Sequence, residues 1–282
     1  MIISESTKLA GIMAWPVSHS LSPRLHRYWI DQYEIRGTYV PLAVTPEHFQ
    51  EALRNLPKLG FSGVNVTLPH KEMALITVDA ADKNARRIGA VNTVVVQEDG
   101  SLFGTNTDSY GFLENMRATL LDWRADAGPA VVLGAGGAAR GVCAALLDEG
   151  VPKIHLVNRT QTRARSLVAD LGGPFSVTSW ADREDILEGT ALLVNTTSLG
   201  MTGMENLEMR LDALPKSAAV CDIVYTPLET NLLADARARG NPVVDGLGML
   251  LHQACPGFQA WFGVAPKVSR GLRNFVLESL KS

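Results

Sequence analysis

The chain is short of cysteine, of net charge and of long apolar runs, and each shortage removes a class of protein. Three cysteines, Cys143, Cys221 and Cys255, lie far apart among 282 residues. An odd count with no C-x-x-C pair supports neither a disulfide framework nor a zinc finger. The compartment expected from such cysteine usage is the reducing cytoplasm. Net charge is only −3, so no bulk electrostatic pull toward nucleic acid or an anionic membrane is expected. No apolar stretch approaches the roughly 18 residues that span a bilayer. Met1–Gly11 carries Glu5 and Lys8 and lacks an apolar h-region, so no secretory signal is expected. The six histidines make no ligand spacing such as H-E-x-x-H, and no metal is expected. What remains, 46% apolar and 20% charged residues, is an ordinary globular composition that fits neither disorder, collagen nor a coiled coil. The length favours two domains over one.

Three zones follow one another along the chain. In the first, Lys8–Met13, Thr38–Val44 and Gly63–Leu68 read as strands. Leu25, Trp29 and Tyr33, and again Phe49, Leu53 and Leu56, recur at helical spacing after Ser22-Pro23 and Thr45-Pro46. Each pair reads as an N-cap followed by proline at the first helical position. Val91–Gln97 and Leu102–Thr107 flank a hairpin signal at Asp99-Gly100. A two-residue turn there pairs Glu98 with Ser101 and, counting back, sets Asn92 opposite Thr107. In the second zone, Tyr110–Leu121 reads as a helix, and Ala130–Leu133, Lys153–Val157, Ala191–Asn195 and Ala218–Ile223 as strands. With helices over Ala139–Glu149, Thr162–Leu171 and Asn231–Arg239, this is the rhythm of a doubly wound parallel sheet. In the third zone, helical spacing from Met249 to Phe262 is interrupted at Pro256, and an amphipathic helix runs on from Val268. This tail has no strand of its own and is expected to pack back on the first zone. The fold class is therefore α/β: an N-terminal α/β domain over 1–108 completed by 246–282, and a Rossmann-like domain over 109–245.

Gly134-x-Gly136-x-x-Ala139 follows an apolar strand and opens a helix. Glycine there allows a tight turn and backbone approach to a pyrophosphate, which the free N–H groups of the helix start would receive. The next strand ends at Asn158-Arg159-Thr160, with Arg163 one turn on. A site for NAD usually carries Asp or Glu at this place; arginine, with its planar fork, suits the 2′-phosphate of NADP.

Ser20 and Ser22 stand at a helix start, where two hydroxyls and free N–H groups could hold a carboxylate or simply cap the helix. His19 and His26 read as structural. Thr67 belongs at the carboxyl end of a strand, where open α/β sheets bind ligands. Lys71 taken alone is a surface lysine, and Asp108 taken alone a cap for the helix after it. Met249 and Gln253 lie four apart and share a helix face.

Taken together, these segments resemble the shikimate dehydrogenases. The likeness runs through Pro16–Pro23, Gly63–Lys71, Ala90–Thr93, Gly104–Asp108, Gly134–Arg140, Asn158–Thr160, Asn195–Met201, Asp222–Pro227 and Gly246–Ala254, essentially the whole chain. Ala14-Trp15 departs from the small or acidic pair common before the serines. The resemblance implies an NADP-dependent oxidoreductase acting on a carboxylated ring alcohol, with Lys71 and Asp108 as the catalytic pair. It implies that Ser20 and Ser22 hold the carboxylate, that Thr67, Asn92, Asp108 and Gln253 contact ring hydroxyls, and that Tyr225 lies near the substrate. It places the cofactor on Gly134, Ala135, Gly136, Gly137 and Ala138, on Asn158, Arg159, Thr160 and Arg163, on Thr196, Ser198, Ile223 and Gly246, with Met249 near the nicotinamide. A small-molecule substrate is implied, with the protein a monomer or homodimer. Two rival readings stand beside it: a quinate/shikimate dehydrogenase with looser substrate choice or NAD use, and a catalytically silent NADP-binding regulator.

Overall fold

The computed structural model describes residues 7–18 and 20–279, so His19 lies outside the described residues. The chain divides into two compact units, Met1–Thr107 with Gln253–Ser282, and Asp108–His252. The first unit carries a sheet of six strands: β1 (Lys8–Ala14), β2 (Gly37–Ala43), β3 (Phe61–Val66), β4 (Ala80–Ala81), β5 (Thr93–Val96) and β6 (Leu102–Thr105), in the order β2-β1-β3-β5-β6-β4. Helices α1 (Ser22–Gln32), α2 (Phe49–Arg54), α3 (Lys71–Thr77) and α4 (Lys83–Ile88) connect them. β1 runs parallel to β2 and β3, while β5 is antiparallel to both β3 and β6. This mixture brings the carboxyl ends of β1, β2, β3 and β6 and the amino end of β5 to one edge. Phe49, Leu53, Val64, Val94 and Leu102 fill the core beneath.

Three local expectations for this unit need correcting. Ser22 is not a side-chain cap: it is the first residue of α1, no side chain caps that helix, and the Ser20 hydroxyl instead accepts from Ser22 N at 3.3 Å. Thr45 likewise caps nothing, and Pro46–His48 forms a 3-10 turn before α2. The hairpin register is shifted by one residue. Gln97 N donates to Ser101 O at 2.8 Å, so three residues, Glu98, Asp99 and Gly100, make the loop. Gly100 takes φ +83°, the left-handed position of a three-residue turn with a bulge. The ladder pairs Thr93 with Thr105.

The second unit opens with α5 (Asp108–Thr119) and builds a six-stranded sheet from β7 (Ala130–Leu133), β8 (Ile154–Asn158), β9 (Phe175–Ser179), β10 (Leu192–Asn195), β11 (Ala219–Asp222) and β12 (Val243–Val244). Every pairing is parallel, in the order β12-β11-β10-β7-β8-β9. Counted from its own first strand this is 6-5-4-1-2-3, the doubly wound order whose switch point lies between β7 and β10. α6 (Gly137–Asp148), α7 (Gln161–Leu171) and α8 (Asn231–Arg239) connect strands of this sheet. The central strands are buried on both faces and read as continuous apolar runs, which is what parallel sheets require. β9 escapes sequence reading because it is a half-buried edge strand with hydroxyls between its apolar residues. α5 begins at Asp108, so that residue is inside the helix rather than capping it from outside. α6 begins at Gly137, two residues ahead of Ala139, so the helix end falls within the glycine loop.

α9 (Gly246–Phe262) runs unbroken through Pro256, and the division between the units falls within it. A proline inside a helix normally costs roughly 3 kcal/mol; here the buried Leu247, Leu251, Ala254, Phe258 and Trp261 hold the helix together across it. α10 (Arg270–Glu278) follows, capped by Ser269, whose hydroxyl accepts from Leu272 N at 3.1 Å. It packs on α1, as expected for a tail without a strand: Arg24 Nε donates to Phe275 O at 2.7 Å and Trp29 Nε1 to Lys267 O at 3.1 Å.

Candidate active site

In the first unit the candidate residues gather where the strand ends meet. Thr67 lies one residue past β3, and its N–H donates to Met13 O at 3.1 Å, prolonging the pairing with β1. His70 N donates to Thr67 O at 2.9 Å, closing the turn that starts α3 at Lys71. The Lys71 carbonyl accepts from Val91 N at 2.9 Å, which fixes the backbone below its amine to the segment entering β5. His70 is a pin: its Nε2 lies 2.7 Å from Val44 O, its ring stacks on Phe49 at 4.3 Å, and burial pushes its pKa down, against the Val44 contact.

Asn92 does hold Thr107, though not through the ladder. Its Oδ1 accepts from Thr107 N at 2.9 Å and from the Thr107 hydroxyl at 3.1 Å. Two residues that sequence reading did not assign extend this chain. Asn65 donates to Thr93 Oγ1 at 3.1 Å and Asn92 O at 3.3 Å, and accepts from the Tyr39 hydroxyl at 2.7 Å. The signal was present: an asparagine between Val64 and Val66, a polar side chain in an otherwise apolar strand. Burial pushes the Tyr39 phenol up, against a contact from Ser22. His26 stacks on the same Tyr39 ring at 3.9 Å. It is wholly buried, and burial pushes its pKa down to about 3, against a contact from Asn65. The structural reading of His26 therefore stands. Ser20, Ser22, Asn65, Thr67, Lys71 and Asn92 share one edge of the sheet; Gln253 is carried separately on α9, half-buried.

In the second unit, the loops after β7, β8, β10 and β11 meet at the carboxyl end of the sheet. Gly134 takes φ +107°, and a Cβ there would lie 2.7 Å from Thr196 Oγ1. Only glycine fits both demands. Gly136 and Gly137 face open space, and no side chain caps α6. Among the described residues no side chain receives the N–H groups of its first turn, and the positive end of the helix favours an anion. Asn158 Nδ2 donates to Thr160 O at 2.8 Å, folding the β8 end into a turn that carries Arg159 outward. Arg159 and Arg163 are exposed, and among the described residues neither has an ion pair, whereas Arg140 is held by Asp170 at 2.6 Å. Two unpaired guanidinium groups and no carboxylate at this place fit a 2′-phosphate. Gly246 packs where any side chain would run into the Ile223 carbonyl, so two of the expected cofactor residues touch. Asp108, in the first turn of α5, is set by the packing of that helix on Gly141 of α6, where Ser109 Oγ donates to Gly141 O at 2.9 Å. Tyr225 is largely buried, which raises its pKa. Met249 is buried on α9. No group of three or more His, Cys, Asp or Glu among the described residues is arranged to hold a metal ion, and none of the described helices is long and apolar enough to cross a membrane.

Two family models match the chain: the shikimate dehydrogenase substrate binding domain over residues 12–94, and shikimate / quinate 5-dehydrogenase over residues 121–228. Over 275 residues the chain is 61% identical to the NADP(+) shikimate dehydrogenase of Paramagnetospirillum magneticum, covering 98% of this chain and 100% of that one. The chain belongs to the shikimate dehydrogenase family. Among solved members, the shikimate 5-dehydrogenase of Thermus thermophilus, in complex with NADP(H) and shikimate, superposes with a TM-score of 0.86 at 36% identity, over 96% of this chain and 99% of that one. The quinate dehydrogenase of Corynebacterium glutamicum, in complex with NAD, gives 0.89 at 30% identity over 96% and 99%. The two-unit α/β architecture is thus shared with these solved structures.

Proposed function

We propose that this chain catalyses the reversible, NADP-dependent reduction of 3-dehydroshikimate to shikimate. The observation that carries the reading is the gathering of Ser20, Ser22, Thr67, Lys71 and Asn92 at one sheet edge. The first unit is the substrate domain and the second the dinucleotide domain. Ser20 and Ser22 hold the ring carboxylate; Thr67, Asn92, Asp108 and Gln253 orient the ring hydroxyls, and Tyr225 flanks the ring. Backbone N–H groups of the loop from Gly134, through Ala135, Gly136 and Gly137, to Ala138 take the pyrophosphate of NADP. Arg159 and Arg163 take the 2′-phosphate, with Asn158 and Thr160 shaping their turn. Thr196, Ser198, Ile223 and Gly246 also line the cofactor, with Met249 near the nicotinamide. The cofactor supplies the hydride when bound, and that chemistry is its own.

The protein has one proton to manage. The Lys71 ammonium donates it to the carbonyl oxygen as reduction proceeds, and the neutral amine accepts it back from the hydroxyl in the reverse direction. Asp108 orients that amine. Exposed Arg159 and Arg163 favour NADP over NAD, and the presence of Lys71 and Asp108 favours an enzyme over a silent NADP-binding regulator. We place the activity in the cytoplasm, where three buried free cysteines stay reduced, and assign it to a monomer or homodimer. The test is the purified protein assayed with NADP+ or NAD+ on shikimate or quinate. The reading expects turnover fastest with NADP+ and shikimate. Faster turnover with quinate or NAD+ selects the broader enzyme, and NADP+ binding without turnover selects the regulator.

A further inference from the structure

Asp222 is buried and ionisable, and the mechanism gives it no part. It ends β11 with no exposed surface, and it accepts three hydrogen bonds: from Asn195 Nδ2 at 3.0 Å, Val224 N at 3.0 Å and Thr230 Oγ1 at 2.7 Å. Burial pushes its pKa up, against these three donors. The donors come from three different places: the end of β10, the loop after β11, and the N-cap of α8.

Asn195 carries the connection onward. Equally buried, it donates a second hydrogen bond to Leu199 O at 3.1 Å, and its Oδ1 accepts from Thr197 N at 3.0 Å and Thr197 Oγ1 at 2.7 Å. Thr197 Oγ1 in turn accepts from Leu199 N at 3.1 Å. These contacts of the 195–199 turn therefore lead back to one carboxylate. The same turn closes on the glycine loop, because the Thr196 hydroxyl donates to Leu133 O at 2.6 Å, beside Gly134. The loop after β11 is tied in as well, by Ile223 N to Asn195 O at 3.1 Å and by Thr202 N to Thr226 O at 2.7 Å.

We propose that Asp222, acting through Asn195 and Thr197, is a positioning residue for the dinucleotide, holding the loops after β7, β10 and β11 in the one arrangement that receives it. This rests on the reading of the second unit as the NADP domain. A buried carboxylate is a costly tie where a neutral side chain would pack. It is suited to this place because an anion can accept from a side-chain amide, a backbone N–H and a hydroxyl at once, and an amide cannot. Fixing loops before binding removes the ordering cost from the binding step.

The experiment is calorimetric titration of NADP+ and of shikimate into the wild type, Asp222→Asn, Thr197→Val and Thr197→Ser, with melting temperatures alongside. Thr197→Val is the second arm, since it cuts the turn without touching the buried carboxylate. The expected result is a loss of NADP+ affinity of roughly tenfold or more in Asp222→Asn and Thr197→Val, shikimate affinity within about twofold, and recovery in Thr197→Ser. Wild-type binding of NADP+ with Thr197→Val equally tight overturns the proposal alone. Equal weakening for shikimate and NADP+ also overturns it, because that is general destabilisation. A wild type that binds no NADP+ overturns the NADP reading and the proposal with it.

Discussion

The amine of Lys71 rises from the first turn of a short helix whose start is fixed by a backbone bond to Val91 and by the buried His70. Removing the side chain leaves that scaffold intact. Lys71→Ala is therefore expected to lower turnover by about 10²–10⁴-fold, the usual contribution of a general acid–base group, with the melting temperature unchanged. Steady-state kinetics beside a thermal melt check it. The pair at the end of β8 has the opposite signature. Arg159→Ala with Arg163→Ala is expected to raise the KM for NADP+ by about 10–100-fold, the worth of charge-assisted hydrogen bonds to a phosphate. The KM for NAD+ should barely move. His26 reports on stability rather than catalysis. Its folded pKa is about 3, against 6.5 unfolded. Below pH 6.5 the unfolded chain takes up a proton that the native protein refuses. Stability is thus fully present above that pH and falls as pH drops toward 3, by roughly 1.4 kcal/mol per pH unit from this group at most. His26→Phe should flatten that part of a denaturation-versus-pH curve; an identical slope in both proteins would contradict the assignment.

Among the elements, the glycine loop is the most demanding. Gly134 combines φ +107° with a neighbouring threonine hydroxyl where a Cβ would go. Gly134→Ala is expected to cost at least ~1 kcal/mol in stability and to weaken NADP+ binding, both measurable by titration and melting. This loop was legible in the sequence because its residue types have a single local cause. So were the central parallel strands β7, β8, β10 and β11, short apolar runs alternating with helical spacing, and α8, which falls where its spacing put it. What escaped depends on which particular partner a group finds, whether distant in the chain or a few residues away. Pro256 reads as a break, yet α9 continues because Phe258 is buried against Trp29 of α1 and Trp261 against the first unit's sheet, with Trp261 Nε1 donating to Val94 O at 3.0 Å. The Asp99-Gly100 pair reads as a two-residue turn, yet Gln97 pairs with Ser101 and the register slips by one. Ser22 reads as a cap, and its backbone N–H is instead received by Ser20. Asn65 stands inside an apolar strand, and Asn195 and Asp222 end theirs, where local pattern treats a polar residue as noise; only their hydrogen-bond partners give them a purpose.

At the scale of the whole molecule, the chain is two units, each with its own sheet and core, and the candidate residues are shared between them. Ser20, Ser22, Thr67, Lys71, Asn92 and Gln253 belong to the first; Asp108, the glycine loop, Arg159, Arg163, Tyr225 and Met249 belong to the second. The account therefore stands on Lys71 and the nicotinamide meeting at one carbon of the substrate. A crystal structure of the protein with NADP+ and shikimate measures this directly. The account predicts Lys71 Nζ within about 2.6–3.2 Å of the hydroxyl on the carbon facing the nicotinamide, the range a proton-transfer group needs. An amine turned away into solvent, with another side chain on that hydroxyl, would contradict it.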